Sequence, residues 1–216
     1  YTLVADKLNN WAQEKYYSCL MVGQQYKAKG DFQKSLEYYL KAEQFDSDRT
    51  EGIIFATEML KDAGLHSLVV LLYEKYKNYN KNPQDKLFLY QDYYRDIFEF
   101  NASISAYISN NKALAYSCLK TIILNNIAQP GVIDRCFKNM RFHVNEMNED
   151  RDTLELFYKL TNYIQTTDEP KEMTVLWNLL FKKNRSILTK PSKFIHEQSI
   201  ANTVFLSITS CKRLDL

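Results

Sequence analysis

Residues 23–44 read GQQYKAKGDFQKSLEYYLKAEQ, and their spacing governs how the rest of the chain is read. Apolar and aromatic residues recur at helical intervals on both sides of Lys29-Gly30-Asp31. The stretch therefore predicts two helices meeting at a glycine turn. Glycine suits that turn because the chain leaves the first helix through a left-handed backbone conformation that side chains resist. Gly23 lies inside the first helix, where the missing side chain lets the second helix approach closely. Tyr26, Tyr39 and Ala42 are expected to fill the layer between the two.

The interval recurs. Gly30 and Gly64 lie 34 residues apart, and so do Tyr39 and Tyr73. A period of that length with glycine at the turn marks a helix-turn-helix repeat. Upstream, Val4, Leu8, Trp11 and Ala12 share one helical face and predict an opening helix. Helices are then expected over 16–28, 32–45, up to Asp62, and over 66–76. Asp48 precedes Glu51 in the order of a capping box, so its carboxylate is expected to accept a free N–H of the next helix. Residues 85–111, DKLFLYQDYYRDIFEFNASISAYISNN, predict one long helix or two broken near Asn101. A turn at Asn110-Asn111 and helices over 112–126, 132–147 and 152–166 follow. The last helix begins after Asp168, with Pro170 in its first turn. Met173, Leu176, Trp177, Leu180 and Phe181 give it a core stripe.

Composition narrows the function classes. With 216 residues but only 5 Gly and 4 Pro, few tight turns are available, which favours an all-α chain. A net charge of +2 gives no broad positive field, so no nucleic-acid partner is expected. No apolar run approaches the roughly 20 residues that span a bilayer, so no membrane partner is expected either. The basic group Lys182, Lys183, Arg185, Lys190 and Lys193 reads as a solvated helix end, and Glu146, Glu149, Asp150 and Asp152 as a solvated turn. The four cysteines are scattered, as suits a reducing compartment, and a cytoplasmic location is expected. His66, His143 and His196 have no metal-ligand spacing, and no phosphate loop or nucleophile motif occurs.

Gly23, Tyr26, Gly30, Phe32, Tyr39 and Ala42 resemble the tetratricopeptide repeat at successive positions of its pattern. Ser35 departs where the pattern prefers alanine, and Ser47 where it prefers proline. A second unit keeps Gly64 and Tyr73, with Thr57 at the small first-helix position. The resemblance implies an α-solenoid of antiparallel helix pairs over 1–200, with its clearest repeats at 16–49 and 50–83. It also implies a concave groove lined by the first helix of each pair. Tyr17, Leu20, Gln24 and Lys27 would face it, joined by Ile54, Glu58 and Lys61. Such a groove suits an extended protein or peptide segment or a neighbouring domain, with a merely solvated face as the alternative.

The tail differs. In NTVFLSITSCKRLDL, residues 202–216, the β-branched and apolar run Thr203–Thr209 reads as a short C-terminal β-strand. It resembles the first strand and loop of a nucleotide-sugar-dependent glycosyltransferase domain of the family-2-like class. The helical part is similar to domains that flank such enzymes in large DNA viruses and some bacteria. Asp48-Arg49-Thr50-Glu51, FEFNASISAY, and then Pro130, Arg135 and Asn139 carry that likeness. It implies that 201–216 opens a downstream catalytic domain in which Thr209, Ser210 and Arg213 approach the donor nucleotide. The divalent metal, Mn or Mg, would bind carboxylates beyond Leu216, leaving no cofactor and no catalysis in this chain. A viral source would place the protein in host cytoplasm or virion. The alternatives are a free-standing peptide-binding module, and a small helical enzyme for which no acid and base pair is evident.

Overall fold

The computed structural model describes residues 1, 11–79, 83, 86–129, 131–148, 150–166 and 170–188. Among them are nine α-helices, two 3₁₀ segments and no strand, so the chain is all-α there. The predicted strand at 203–209 and the opening helix through Val4 and Leu8 lie outside the described residues. The chain divides into two compact units. One comprises Tyr1–Ile122 and Ile127–Pro130, the other Ile123–Asn126 and Gly131–Leu216.

The first unit is built from helical hairpins. Helix α1 (Ala12–Ala28) turns into α2 (Phe32–Ala42), α3 (Glu51–Asp62) into α4 (His66–Tyr76), and α5 (Ile97–Ile108) into α6 (Lys112–Leu124). α1 packs on α2, α2 on α3, α3 on both α4 and α5, and α4 on α5. The three turns share one hydrogen-bond scheme. Asp31 N–H donates to Tyr26 O, Leu65 N–H to Leu60 O, and Asn111 N–H to Ala106 O, at 2.9, 2.8 and 2.8 Å. This is the bond of a Schellman cap, which needs a left-handed residue one position earlier. Gly30 and Gly64 supply it at φ +78° and +74°, and Asn110 supplies it in the third hairpin at φ +61°. The sequence offered no glycine there. Asparagine is the side chain that best tolerates this conformation.

Equivalent positions carry equivalent packing. Ser35, Val69 and Ala115, 34 and then 46 residues apart, are all fully buried. The slot of Gly23 is taken by Thr57 and Ser103 in the next two hairpins, both buried. Each of those hydroxyls donates to the carbonyl three residues back, Thr57 to Ile54 and Ser103 to Phe100, so neither of the two is stranded in the layer. A Cβ on Gly23 would meet Tyr39 Cδ1 and Cε1 at 2.5 Å. Gly52, which sequence reasoning passed over, would press its Cβ to 2.5 Å from the Tyr39 carbonyl oxygen. Tyr39 is thus seated between two glycines.

Three expectations are corrected. Lys86–Tyr90 are not helical; a 3₁₀ segment at Gln91–Tyr94 precedes α5, and Asn101 lies within that helix rather than breaking it. Asn101 is buried (4% exposed), and α5 runs unbroken through it. Asp48 caps nothing: α3 has Thr50 at its N-cap without a side-chain bond, while the Asp48 carboxylate lies 3.7 Å from Lys86. Finally, residues 132–147 form only a short α7 (Val132–Met140) followed by a 3₁₀ segment, Arg141–Glu146.

The second unit packs α9 (Pro170–Leu188) against α7, the 3₁₀ segment and α8 (Arg151–Ile164). Asp150 caps α8 by accepting from Thr153 N–H at 2.9 Å. The stripe of α9 is core as expected: Met173, Leu176, Trp177 and Leu180 are buried. Trp177 stacks on Phe181 at 5.2 Å and donates its indole N–H to Thr161 Oγ1 at 2.9 Å.

Candidate interaction face on the first unit

α1 and α3 are the opening helices of the first two hairpins and carry all seven residues expected to line a groove. Five of them reach the surface: Tyr17, Gln24, Glu58 and Lys61 are half-buried, and Lys27 is exposed. Leu20 and Ile54 are 0% exposed and form the layer beneath, so neither can touch a partner. At helical spacing an apolar residue beside a groove position is easily assigned to the wrong side of the backbone.

Part of this face is already covered. The non-helical stretch Lys86–Tyr90 runs over α1, the turn before α3, and α3 itself, and it is held largely by its main chain. Leu87 N–H donates to Gln13 Oε1 at 2.8 Å. Arg49 Nη1 donates to Leu87 O and Nη2 to Phe88 O, both at 3.0 Å. Lys86 Nζ bridges both Asp46 carboxylate oxygens at 3.0 Å. Aromatic rings complete the contact. Tyr17 stacks on Phe88 at 4.9 Å, and Phe55 meets Tyr90 and Tyr93 edge-on at 5.4 and 4.7 Å.

Arg49 organises this end. It is almost fully enclosed, its guanidinium lies 4.1 Å over the Tyr16 ring, and its Nε and Nη2 bond both oxygens of buried Glu51 at 3.2 and 2.8 Å. Tyr16 donates its hydroxyl to Glu51 Oε2 at 3.0 Å and accepts from Gly52 N–H. Burial, and then the Glu51 charge, pushes the Tyr16 hydroxyl well up, so it stays a donor. Each of the three guanidinium nitrogens donates at least one hydrogen bond, as a buried ion pair requires.

The other end of the face stays open and polar. Lys61 donates to Asn101 Oδ1 at 3.0 Å. Burial raises the Glu58 carboxyl, against the opposing pull of Lys27 and Lys61. Tyr93 is pushed up to about 12 by its burial and by Glu58.

In the second unit, Ile123, Ile133 and Phe137 floor a cleft of about 420 Å³, with Asn126, Lys159 and Asn162 among its polar residues. Lys159 is already bonded to Asn126 Oδ1 at 2.7 Å. Among the described residues no three His, Cys, Asp or Glu side chains converge as a metal site, and no helix is long and apolar enough to cross a membrane. Thr209, Ser210 and Arg213 lie outside the described residues.

No family model matches the chain, and no curated protein or solved structure matches it either. Sequence reasoning missed Gln13 and Phe55, and the roles of Arg49 and the covering stretch. One signal was available. Asn110 follows Gly64 by 46 residues where Gly64 follows Gly30 by 34, and the extra twelve accommodate residues 86–94.

Proposed function

We propose that the first unit is an interaction module of tetratricopeptide-like helix pairs, the start of an α-solenoid, whose α1–α3 face receives an extended polypeptide. The observation that supports this reading is the way residues 87 and 88 are held. The Leu87 N–H and the Leu87 and Phe88 C=O groups, which every peptide has, are met by Gln13 and Arg49, and the Phe88 ring by half-buried Tyr17. Backbone contacts that supply affinity with side-chain pockets that supply selectivity are how extended peptides are recognised. The test is selection of random peptides on the immobilised chain. Selected peptides should bind in solution, and Lys27→Glu with Glu58→Lys should weaken them about tenfold or more. Recovery of no peptide, or of peptides indifferent to Lys27, Glu58 and Tyr17, removes this reading.

The strand-like composition of residues 203–209 favours a second, compatible reading, in which the module belongs to a nucleotide-sugar-dependent glycosyltransferase. There it would position an acceptor or partner, while Thr209, Ser210 and Arg213 would serve the nucleotide of a downstream domain. Reading the parent frame past Leu216, and assaying the extended protein with several nucleotide sugars and manganese, tests it. A continuation without an alternating strand and helix pattern would set it aside.

A further inference from the structure

We propose that Lys86–Tyr90 is an intramolecular ligand of the α1–α3 face, and that outside partners compete for the same face with the same chemistry. That chemistry is a non-helical chain with a basic residue followed two and four positions later by aromatic rings. The inference rests on the module reading above and goes further, by naming what the face selects and what shields it.

Three observations on this stretch agree. Every second residue of it reaches the face, across a bend at Leu87-Phe88. Lys86 meets Asp46, Phe88 stacks on Tyr17, and Tyr90 meets Phe55. Of the intervening residues, Leu87 is 53% exposed and Leu89 half-buried. Secondly, Phe88 itself is 51% exposed and has φ +58°, a conformation bulky side chains rarely adopt. A strained, half-exposed segment is a poor wall but a displaceable plug, since a peptide supplied from outside need not carry that strain. Thirdly, the stretch is the excess over the 34-residue interval, inserted between the second and third hairpins without disturbing the turn scheme of either. The turns of the hairpin framework are therefore complete without it, and Tyr90 is its contact with the core.

The connection from Tyr76 to Lys86 is short, so the tethered segment acts at an effective concentration on the order of millimolar. A weak cis contact is then enough to mask the face against micromolar partners. The probe is a fluorescein-labelled peptide KLFLYQDYY, residues 86–94, titrated into the full chain and followed by anisotropy. Phe88→Ser/Tyr90→Ser in the chain should raise the affinity for the probe about tenfold or more. Adding Tyr17→Ala to that variant should abolish the gain, and a probe with serine at both aromatic positions should bind neither protein. Should the double variant not fold, Lys86→Glu sets a like charge beside Asp46 without touching the apolar packing, and should raise the affinity about threefold to tenfold. Equal probe binding by parent and released chains overturns the proposal. If released chains ignore this probe but bind peptides from the random selection at Tyr17 and Lys27, the cis-ligand inference fails and the module reading stands. Binding of no peptide by any chain ends both.

Discussion

At Arg49 three jobs fall on one side chain: it neutralises Glu51, covers the face of Tyr16, and holds two carbonyls of the stretch that crosses α1 and α3. Its planar fork makes this possible, and lysine, a single point charge, cannot reproduce it. Arg49→Met should cost about 3–5 kcal/mol in urea unfolding, because Glu51 is left charged and unpaired in a buried site. Arg49→Met with Glu51→Gln should recover most of that loss, and a double variant as unstable as the single one would contradict the pairing. Glu58 poses the opposite case. Its carboxyl is raised by burial, so ionising it costs more in the fold than in the unfolded chain. Its contribution is fully present below the unfolded carboxyl value and is lost as pH rises through the folded one. Glu58→Gln should therefore raise Tm at pH 7 relative to the parent and lose that advantage near pH 4. Thermal melts at the two pH values decide it.

Within single elements, the decisive quantity is how closely α1, α2 and α3 approach. Gly23 and Gly52 both make room for Tyr39, but they do so against different atoms. The ring facing Gly23 is a side chain that can swing away, so Gly23→Ala should cost about 1–3 kcal/mol. The carbonyl facing Gly52 belongs to the backbone of α2 and cannot, so Gly52→Ala should cost more. Equal costs in denaturant unfolding would show that α2 moves as a body. The turn glycines are a different kind of requirement. Nothing lies within 4 Å of a Cβ on Gly30 or Gly64, and only their positive φ resists substitution. Alanine at either should therefore cost about 1–2 kcal/mol with no change in packing.

For the molecule as a whole, the division into two compact units predicts that residues 1–129 fold alone. That fragment should give a helical circular dichroism spectrum and a cooperative melt; a non-cooperative trace would mean that the first unit needs the second. Alkaline pH should weaken the same unit in a defined window. Burial pushes the Cys118 thiol up to about 12, from an ordinary value near 9. The stability tied to the neutral thiol is complete below about pH 9 and is lost as pH rises toward 12. Cys118→Ala should flatten that part of the pH–stability curve. At neutral pH, alkylation of Cys118 should require unfolding, because the thiol is enclosed and protonated.

Much of this architecture followed from local chemistry alone. Gly30 and Gly64 announced their turns because few other residues adopt the left-handed conformation, and the interval between them recorded the size of one hairpin. Helical periodicity placed α4 at His66–Tyr76 and the core stripe of α9 before any contact was known. The covering stretch was not legible in that way. Residues 86–94 carry apolar and aromatic residues at spacings that a helix would also accept, and only the competing bonds from Gln13 and Arg49, 74 and 38 residues away, draw them out of one. Gly52 was equally silent, since nothing beside it in sequence tells that a carbonyl from α2 will pass so close. Turn chemistry and periodicity are properties of neighbours along the chain. Which surface is covered, by what, and at what distance depends on partners that only folding brings together.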